Sequence, residues 1–409
     1  MRRLKRLFAF SMALLLTAGV CTIPSGATTE VEVEDLEYYT KFQGQNITLN
    51  VYNWGEYISD GSDDSLDVNK AFEELTGIKV NYTTFDTNES LYAKLRSGGA
   101  SYDIIIPSDY MIGKMIQEDM LEKLDFDLIP NFKYIDESYV NPSYDPTNEY
   151  SVPYTWGTVG IIYNTNLVTE PVTSWDILWD EQYASDILMF GNSRDAFGIA
   201  LKKLGYSLNT EDPDQLQEAA DLLKEQKPLV QAYVMDQIYD KMLGGEAALA
   251  PYYAGDALIM IEDNPDLAFA VPEEGTNRFI DAICIPKGAK NIEAAHMYIN
   301  FLCEPEVGAA NIEYIGYSTP NTASYELLDE EVANDPISYP PEEILEKTEP
   351  FNNLSEETNL LLESLWTEVL TDDQQYNTWA MPLFLAAGIL FSIGLNVVRR
   401  IRKKKEQPY

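Results

Sequence analysis

The sequence is 409 residues long, carries a formal net charge of −39, and is 45% hydrophobic and 12% aromatic. The apolar content excludes a disordered chain, and the length exceeds what one hydrophobic core usually fills, so we expect two lobes. The excess of acids argues against nucleic acid as a partner, because an acidic surface repels phosphate and attracts cations. Acidity that serves solubility alone is the more common alternative.

The amino terminus predicts a secretory signal peptide over residues 1–27. Basic residues open the chain, an uncharged apolar segment follows at 7–20, and small residues precede a cleavage point after Ala27. Lipidation at Cys21 and retention as an uncleaved anchor remain alternatives. Residues 28–45 are acidic and polar, so we interpret them as a linker.

The carboxyl terminus predicts a transmembrane helix over residues 379–398. This stretch is uncharged and long enough to span a bilayer at about 1.5 Å per residue. The basic tail that follows, 399–409, is expected in the cytoplasm by the positive-inside rule, which leaves the body of the protein outside. A buried core helix is the alternative.

The body between these ends is more acidic than the whole chain. The ends hold 10 of the 28 lysines and arginines and one of the 67 acids, Glu406, so 18 bases face 66 acids in the remainder. A cationic ligand is compatible with this balance but is not required by it.

Hydrophobic periodicity predicts two series of alternating strands and helices. In the first series the strands are 47–52, 79–84 and 103–107, and the helices are 65–76, 89–97 and 110–118. In the second the strands are 158–163, 187–190 and 247–251, and the helices are 196–204, 213–225 and 234–243. Strands at 267–272 and 281–286, a helix at 292–302, a turn-rich segment at 304–324 and helices near 326–334 and 356–370 complete the body. The predicted class is α/β, with a chain that crosses between two hinged lobes more than once.

The sequence lacks the motifs of common catalytic sites. It has no Gly-x-Ser-x-Gly elbow, no phosphate-binding loop, and one histidine, His296, without a second metal ligand nearby. Cys284 and Cys303 lie in apolar runs and are expected to be buried, although a disulfide remains open. We therefore predict a binding protein that is not an enzyme and uses no cofactor or metal.

Five junctions near predicted strand ends define a candidate cleft: all carry polar side chains, and all except 192–195 also carry aromatic ones. They lie at 54–57, 107–110, 192–195, 252–256 and 279–281. In open α/β sheets, ligands bind beyond the carboxyl ends of the strands. Carboxylates suit ammonium groups, and ring faces suit both cations and methylene chains, so the pattern predicts a slim diamine or polyamine. For Trp54 and Tyr57, a role as core aromatic side chains is the alternative.

Several longer motifs indicate a family. They are YNWGEY at 52–57, YDIIIPS at 102–108, SVPYTWG at 151–157, IPKGAKN at 285–291 and IGYSTPN at 315–321. Through them, residues 47–353 resemble the periplasmic spermidine/putrescine-binding proteins of ABC transporters. The resemblance implies a two-lobed periplasmic-binding-protein fold of type II, with a hinge. We place lobe 1 at 46–156 and 276–322, and lobe 2 at 157–275 and 323–370.

The resemblance also implies a set of ligand-binding side chains: Trp54, Glu56, Tyr57, Ser108, Tyr110, Asp195, Tyr253, Asp256, Phe279, Asp281 and Tyr317. In this set Asp281 would hold the central amine and Asp195 a terminal amine. The sequence departs from the family pattern at Gly55, Asn192 and Tyr253. These departures leave the choice between putrescine and spermidine open. A last contact is expected near Phe351 and Asn352.

The expected function is that of the extracellular or periplasmic substrate-binding component of a polyamine ABC importer. It would deliver its ligand to the permease subunits while the carboxyl-terminal helix holds it at the cell membrane. The alternatives are a binding protein for another small solute, an extracellular acid-dependent glycosidase and a surface adhesin.

Overall fold

The computed structural model of the chain describes residues 29–98 and 101–372. The chain divides into two units, Met1–Trp366 and Thr367–Tyr409, and the second is described only up to residue 372. The predicted signal peptide, transmembrane helix and basic tail lie outside the described residues. Within the described part, no helix is both long enough and apolar enough to cross a membrane.

The described residues form ten β-strands. They are β1 (Thr48–Trp54), β2 (Lys79–Phe85), β3 (Ile104–Ile105), β4 (Ser151–Asn164), β5 (Ile187–Phe190), β6 (Val230–Val234), β7 (Leu249–Tyr253), β8 (Leu267–Ala270), β9 (Thr276–Cys284) and β10 (Thr348–Glu349).

The same residues form fourteen α-helices, joined by loops and short 3-10 turns. They are α1 (Leu36–Thr40), α2 (Val68–Thr76), α3 (Asn88–Arg96), α4 (Asp109–Gln117), α5 (Ser193–Lys203), α6 (Pro213–Gln226), α7 (Ile238–Leu243), α8 (Ala254–Asp263), α9 (Ile292–Leu302), α10 (Pro305–Ile315), α11 (Thr322–Leu327), α12 (Glu330–Ala333), α13 (Glu342–Leu345) and α14 (Glu356–Thr371).

Two strands connect the two halves of the molecule. The strand order is β2-β1-β3-β9-β4-β7-β5-β6, with β10 added to β9 and β8 to β4. The first part of β4, residues 151–158, pairs with β9, and its remainder, 159–164, pairs with β7 and β8. One group of parallel strands, β1 to β3, therefore lies on one side of β4 and β9, and the group β5 to β7 lies on the other. This is a two-lobed α/β architecture.

Local sequence signals explain where the helices near the cleft begin. Asp67 caps α2 by accepting from the Lys70 amide, and Thr87 caps α3 in a reciprocal capping box with Ser90. Asn192 caps α5 by accepting from the Asp195 amide. Each cap satisfies an amide that the helix itself leaves unpaired, which fixes the direction in which the chain enters the helix.

Several parts of the body differ from the predicted elements, and one is β4, which begins at Ser151 and not at 158. The segment predicted as a helix from 234 begins instead with the end of β6, and α7 starts at Ile238. The predicted turn-rich segment contains the helix α10, which Pro305 starts and Gly316 ends at a φ of 76°. The strand predicted from 281 begins at Thr276, so Phe279 and Asp281 lie inside β9 rather than at its end.

The predicted linker also differs, because it packs on the body. Within it, α1 places the ring of Tyr39 at 0% exposure, and the Tyr39 hydroxyl donates to Glu304 at 2.7 Å. Tyr38 also donates to the Leu128 carbonyl, and Lys41 pairs with Glu293, so several contacts hold the segment in place. The polar residues of the segment gave no sign of this packing in the sequence.

The two cysteines are buried as predicted, and His296, for which no burial was predicted, is buried as well. Cys284 and Cys303 are buried free thiols. His296 is 1% exposed, and its Nε2 accepts from the Asp125 amide at 2.9 Å. Over the described ranges, no cluster of three or more His, Cys, Asp or Glu side chains could hold a metal ion.

Candidate functional site

A cleft of about 670 Å³, part of it open to solvent, brings most of the predicted side chains together. Ten of the eleven line it: Trp54, Tyr57, Ser108, Tyr110, Asp195, Tyr253, Asp256, Phe279, Asp281 and Tyr317. They come from both groups of strands and from the helix starts beside them. The junctions that the sequence scatters over more than 250 positions therefore meet in one place.

Glu56 does not line this cleft. Its φ of 48° places it in a left-handed turn after β1, and its side chain is exposed. The backbone of Gly55 lines the cleft in its place. A Cβ atom on Gly55 would lie 2.3 Å from Oδ2 of Asp236, so glycine is what lets this carboxylate approach the turn.

Asp281 is the most deeply buried acid that lines the cleft, with 4% of its surface exposed. Its Oδ2 accepts from the Tyr57 hydroxyl at 2.6 Å. Its Oδ1 is buried and has no hydrogen-bond partner in the part of the chain that the structure describes. Burial raises the pKa of Asp281 to about 6, which outweighs the lowering effect of Ser108 and Tyr57. One carboxylate oxygen of Asp281 is thus left without a donor at the cleft.

Asp256 is held by two tyrosine hydroxyls. Tyr239 donates to its Oδ1 at 2.7 Å and Tyr317 donates to its Oδ2. Burial raises the pKa of Asp256 to about 7, despite these two donors. A Cβ atom on Gly255 would lie 2.3 Å from the Tyr317 ring, so this glycine allows Tyr317 to reach the carboxylate.

Asp195 lies in the first turn of α5. Its Oδ2 accepts from the Tyr253 hydroxyl at 2.7 Å and from Nδ2 of Asn192 at 2.9 Å. Burial raises the pKa of Asp195 above its ordinary value. Asn192 both caps the helix and orients this carboxylate.

Aromatic rings separate these acids. Tyr57 packs edge-on against Tyr317 with centroids 4.8 Å apart, and Phe279 packs edge-on against Tyr253 at 5.4 Å. Trp54 leans on Phe85 at 4.4 Å. The walls are therefore braced by ring contacts, which hold flat apolar faces between the charged groups.

A second group of charged and aromatic side chains comes from α3, α4, α5 and the segment at residue 351. Tyr110 donates to Glu89 at 2.8 Å, and the buried guanidinium of Arg194 lies 5.1 Å from the Tyr110 ring and 4.4 Å from that of Phe351. Glu89 and Phe351 line the cleft, whereas Arg194 does not. Burial raises the pKa of Glu89 and lowers that of Arg194.

Several lining residues were not in the predicted set: Gly55, Thr87, Asn88, Glu89, Asn192, Met235, Asp236, Tyr252, Asn277 and Phe351. Glu89 looks in the sequence like an ordinary acid of a first helical turn. Asp236 fell within a predicted helix, and Asn277 preceded the predicted start of its strand. The region of Phe351 had been marked as a contact, and Gly55, Asn192 and Tyr252 belong to the junctions that predicted the cleft.

The charged side chains that line the cleft are all acidic. Five acids line the cleft: Glu89, Asp195, Asp236, Asp256 and Asp281. Among the described residues that form its walls there is no lysine, arginine or histidine. Because unpaired carboxylates are costly to bury, such a site favours a ligand that brings positive charge.

The fold and this cleft define a two-lobed solute-binding protein. Residues 68–340 match the model of the bacterial extracellular solute-binding protein family. The spermidine/putrescine-binding periplasmic protein of Salmonella typhimurium is 38% identical over 313 residues, which cover 76% of this chain and 88% of the relative. The chain therefore belongs to this family of binding proteins, as its motifs predicted, and it is not an enzyme.

Other relatives agree in sequence and in structure. The putrescine-binding periplasmic protein of Pseudomonas aeruginosa is 32% identical over 343 residues, which cover 79% of this chain and 92% of the relative. The solved structure of the spermidine/putrescine ABC transporter substrate-binding protein of Streptococcus pneumoniae is 40% identical. It superposes with a TM-score of 0.67 and covers 79% of this chain and 98% of its own.

Proposed function

We propose that this chain is the substrate-binding component of an ABC importer for polyamines and that it holds putrescine or spermidine in the cleft. The observation that carries the proposal is the lining of five acids and no base among the described walls, interleaved with aromatic rings. A polyamine has the complementary form, with ammonium groups separated by methylene chains. The names of the relatives from Salmonella, Pseudomonas and Streptococcus support the same ligand class.

In this proposal each type of side chain has one role. Asp281, Asp256 and Asp195 accept hydrogen bonds from ammonium groups, and Oδ1 of Asp281 is free to do so. Trp54 and Tyr253 cover the methylene groups between them. The attraction between opposite charges at 4 Å is about 1 kcal/mol in water and rises several-fold when water is excluded, so a closed cleft binds more strongly.

The proposed lobes retain the boundaries expected from the sequence, 46–156 with 276–322 and 157–275 with 323–370. The connection of the two strand groups through β4 and β9 supports a hinge at these strands. Closure of the lobes over the ligand would then complete the site and present a new surface to the permease.

We further propose that residues 379–398 anchor the protein in the cell membrane, with the binding body outside and the tail 399–409 in the cytoplasm. Only the sequence supports this part of the proposal. Tethering would keep the binding protein near its permease by raising its effective concentration. If the anchor exists, deleting residues 379–409 releases the protein from washed cells into the medium, whereas an unchanged distribution contradicts it.

Thermal-shift and titration calorimetry on the purified body test the ligand class. We expect putrescine or spermidine to raise the melting temperature, while neutral sugars and acidic amino acids leave it unchanged. A ligand at 100 times its dissociation constant adds about 2.7 kcal/mol to the free energy of unfolding. Stabilisation by a sugar or an anion, with none by any polyamine, would overturn the proposal.

A further inference from the structure

Asn277 is a buried polar residue of the cleft whose role the sequence did not predict. It is 5% exposed, and it lines the cleft. Its Oδ1 is buried without a hydrogen-bond partner anywhere in the described ranges. A buried acceptor that is left unpaired costs free energy, so this oxygen calls for a donor.

Asn277 lies on the same face of its strand as two of the predicted ligand-binding residues. Successive side chains of a strand point to opposite faces, so Asn277, Phe279 and Asp281 share one face of β9. This face presents an amide, then an aromatic ring, then a carboxylate. At about 3.3 Å per residue, some 13 Å separates the backbone positions of Asn277 and Asp281.

Asn277 also lies where the cleft adjoins a second, smaller pocket, which shares Asp195, Asn277 and Phe351 with it. Beyond these residues the second pocket is lined by apolar side chains, by Thr276 and by Lys202, whose ammonium is paired with Glu349. Polar acceptors are therefore present where the two cavities meet, and the cation of the second pocket already has its own carboxylate partner.

We propose that Asn277 is a specificity-determining residue that contacts the ligand. Its Oδ1 accepts a hydrogen bond from the far terminal ammonium of a long polyamine, and Asp195 supplies the charge for that ammonium. Asp281 holds the amine at the opposite end of the same molecule, and not the central amine that the resemblance implied for it. Because the two ends of this strand face lie far apart, spermidine reaches both, whereas putrescine, which lacks the aminopropyl group, engages Asp281 without Asn277.

This inference rests on the proposed polyamine function but can fail separately from it. If the wild-type protein binds no polyamine, the proposed function fails. If it binds spermidine and putrescine, and Asn277 variants change neither affinity, the function stands and the inference fails. An asparagine that only bonds a trapped water molecule would give that second result, with a change in stability alone.

The experiment measures the dissociation constants of spermidine and putrescine by calorimetry for three variants of the full binding body. Asn277→Leu keeps the size and removes the acceptor. We expect it to weaken spermidine about 10- to 100-fold, the range for a hydrogen bond to a charged group, and putrescine less than threefold. Equal losses for both ligands would overturn the length argument.

Two further variants keep the test decisive. Asn277→Asp keeps an acceptor and adds charge, so spermidine affinity should be retained or increased and should depend more on salt; a loss as large as that of Asn277→Leu contradicts the proposal. Gln226→Met is the matched control. Gln226 is a buried amide whose Oε1 likewise has no partner in the described structure, but it lies outside the cleft lining. Its affinities should equal those of the wild type.

Discussion

The Tyr57 hydroxyl donates to Oδ2 of Asp281 at 2.6 Å and also bonds Thr155 Oγ1. Tyr57 follows β1 and Asp281 lies in β9, so this contact joins two segments that are 224 positions apart. It fixes Oδ2 of the carboxylate, while Oδ1 has no partner in the described part of the protein. The tyrosine therefore acts on Asp281 as an orienting group, and the aspartate supplies the charge.

Replacing Asp281 by asparagine should weaken polyamine binding by about 2–5 kcal/mol, the usual cost of removing one partner of a buried charge pair. The variant has nearly the same shape but presents an amide in place of a carboxylate. Calorimetry at pH 8, where Asp281 is ionised, measures the effect.

The matched control for that variant is Tyr57→Phe, which removes the orienting hydroxyl and leaves the charge. Its loss should be smaller, about 1 kcal/mol for one hydrogen bond. An Asp281→Asn protein that binds both polyamines like the wild type would remove Asp281 from the site.

Polyamine affinity should increase with pH between about pH 5 and pH 8. The pKa of Asp281 is about 6 and that of Asp256 about 7 because both are buried. Below these values each carboxyl is protonated and cannot pair with an ammonium group. Each group changes the affinity by up to about tenfold per pH unit in its own window. Calorimetry in buffers of equal ionic strength measures this slope.

The stability of the unliganded protein should change in the opposite direction. The ordinary pKa of aspartate is 3.8, and folding raises it at both sites. This contribution to stability is fully present below the unfolded value and is lost as the pH rises through the folded values. The melting temperature without ligand should therefore fall toward pH 8, and spermidine should restore it. Asp256→Asn should reduce the fall, and a fall of unchanged size would contradict the role of Asp256.

The sequence predicted some elements of the fold and some residues of the site, and it missed others. The two α/β series, the two lobes and the convergence of Trp54, Tyr57 and Asp281 were predicted, because strand ends and family motifs are local patterns. The start of β9 was misplaced because Thr276 and Asn277 are polar residues that look like part of a turn. They are buried because distant segments pack around them. β10 pairs with β9 at these two positions, and residues from several parts of the chain line the second pocket beside them.

The packing of the amino-terminal segment was missed for a similar reason, and it gives a stability prediction. Tyr39→Ala should lower the free energy of unfolding by about 3–5 kcal/mol, as for other large aromatic side chains that are truncated in a core. Urea denaturation measures it. Leu36→Ala is the control on the same helix, because Leu36 is 60% exposed and should cost little. Equal effects would mean that α1 does not anchor the segment through Tyr39.

The last prediction concerns Gly55, because a substitution there changes the packing beside Asp236 without changing the charge of the cleft. A methyl group at this position would overlap Oδ2 of Asp236 at 2.3 Å, so Gly55→Ala should force the turn and the carboxylate apart. Because the overlapping atoms belong to the end of an exposed side chain, which can rotate away, we expect a cost of no more than about 1 kcal/mol in ligand affinity. Gly113→Ala is the matched control, because its nearest neighbour would be an ordinary contact at 3.5 Å.

A double variant identifies the source of the Gly55 effect. Asp236→Ala removes the overlapping carboxylate, so adding it to Gly55→Ala should recover part of the affinity even though an acid of the cleft is lost. A coupling energy between the two substitutions of at least about 0.5 kcal/mol, measured by calorimetry as a double-mutant cycle, is the expected result for residues in contact. Strict additivity would show that Gly55 matters for its turn after β1 and not for the approach of Asp236.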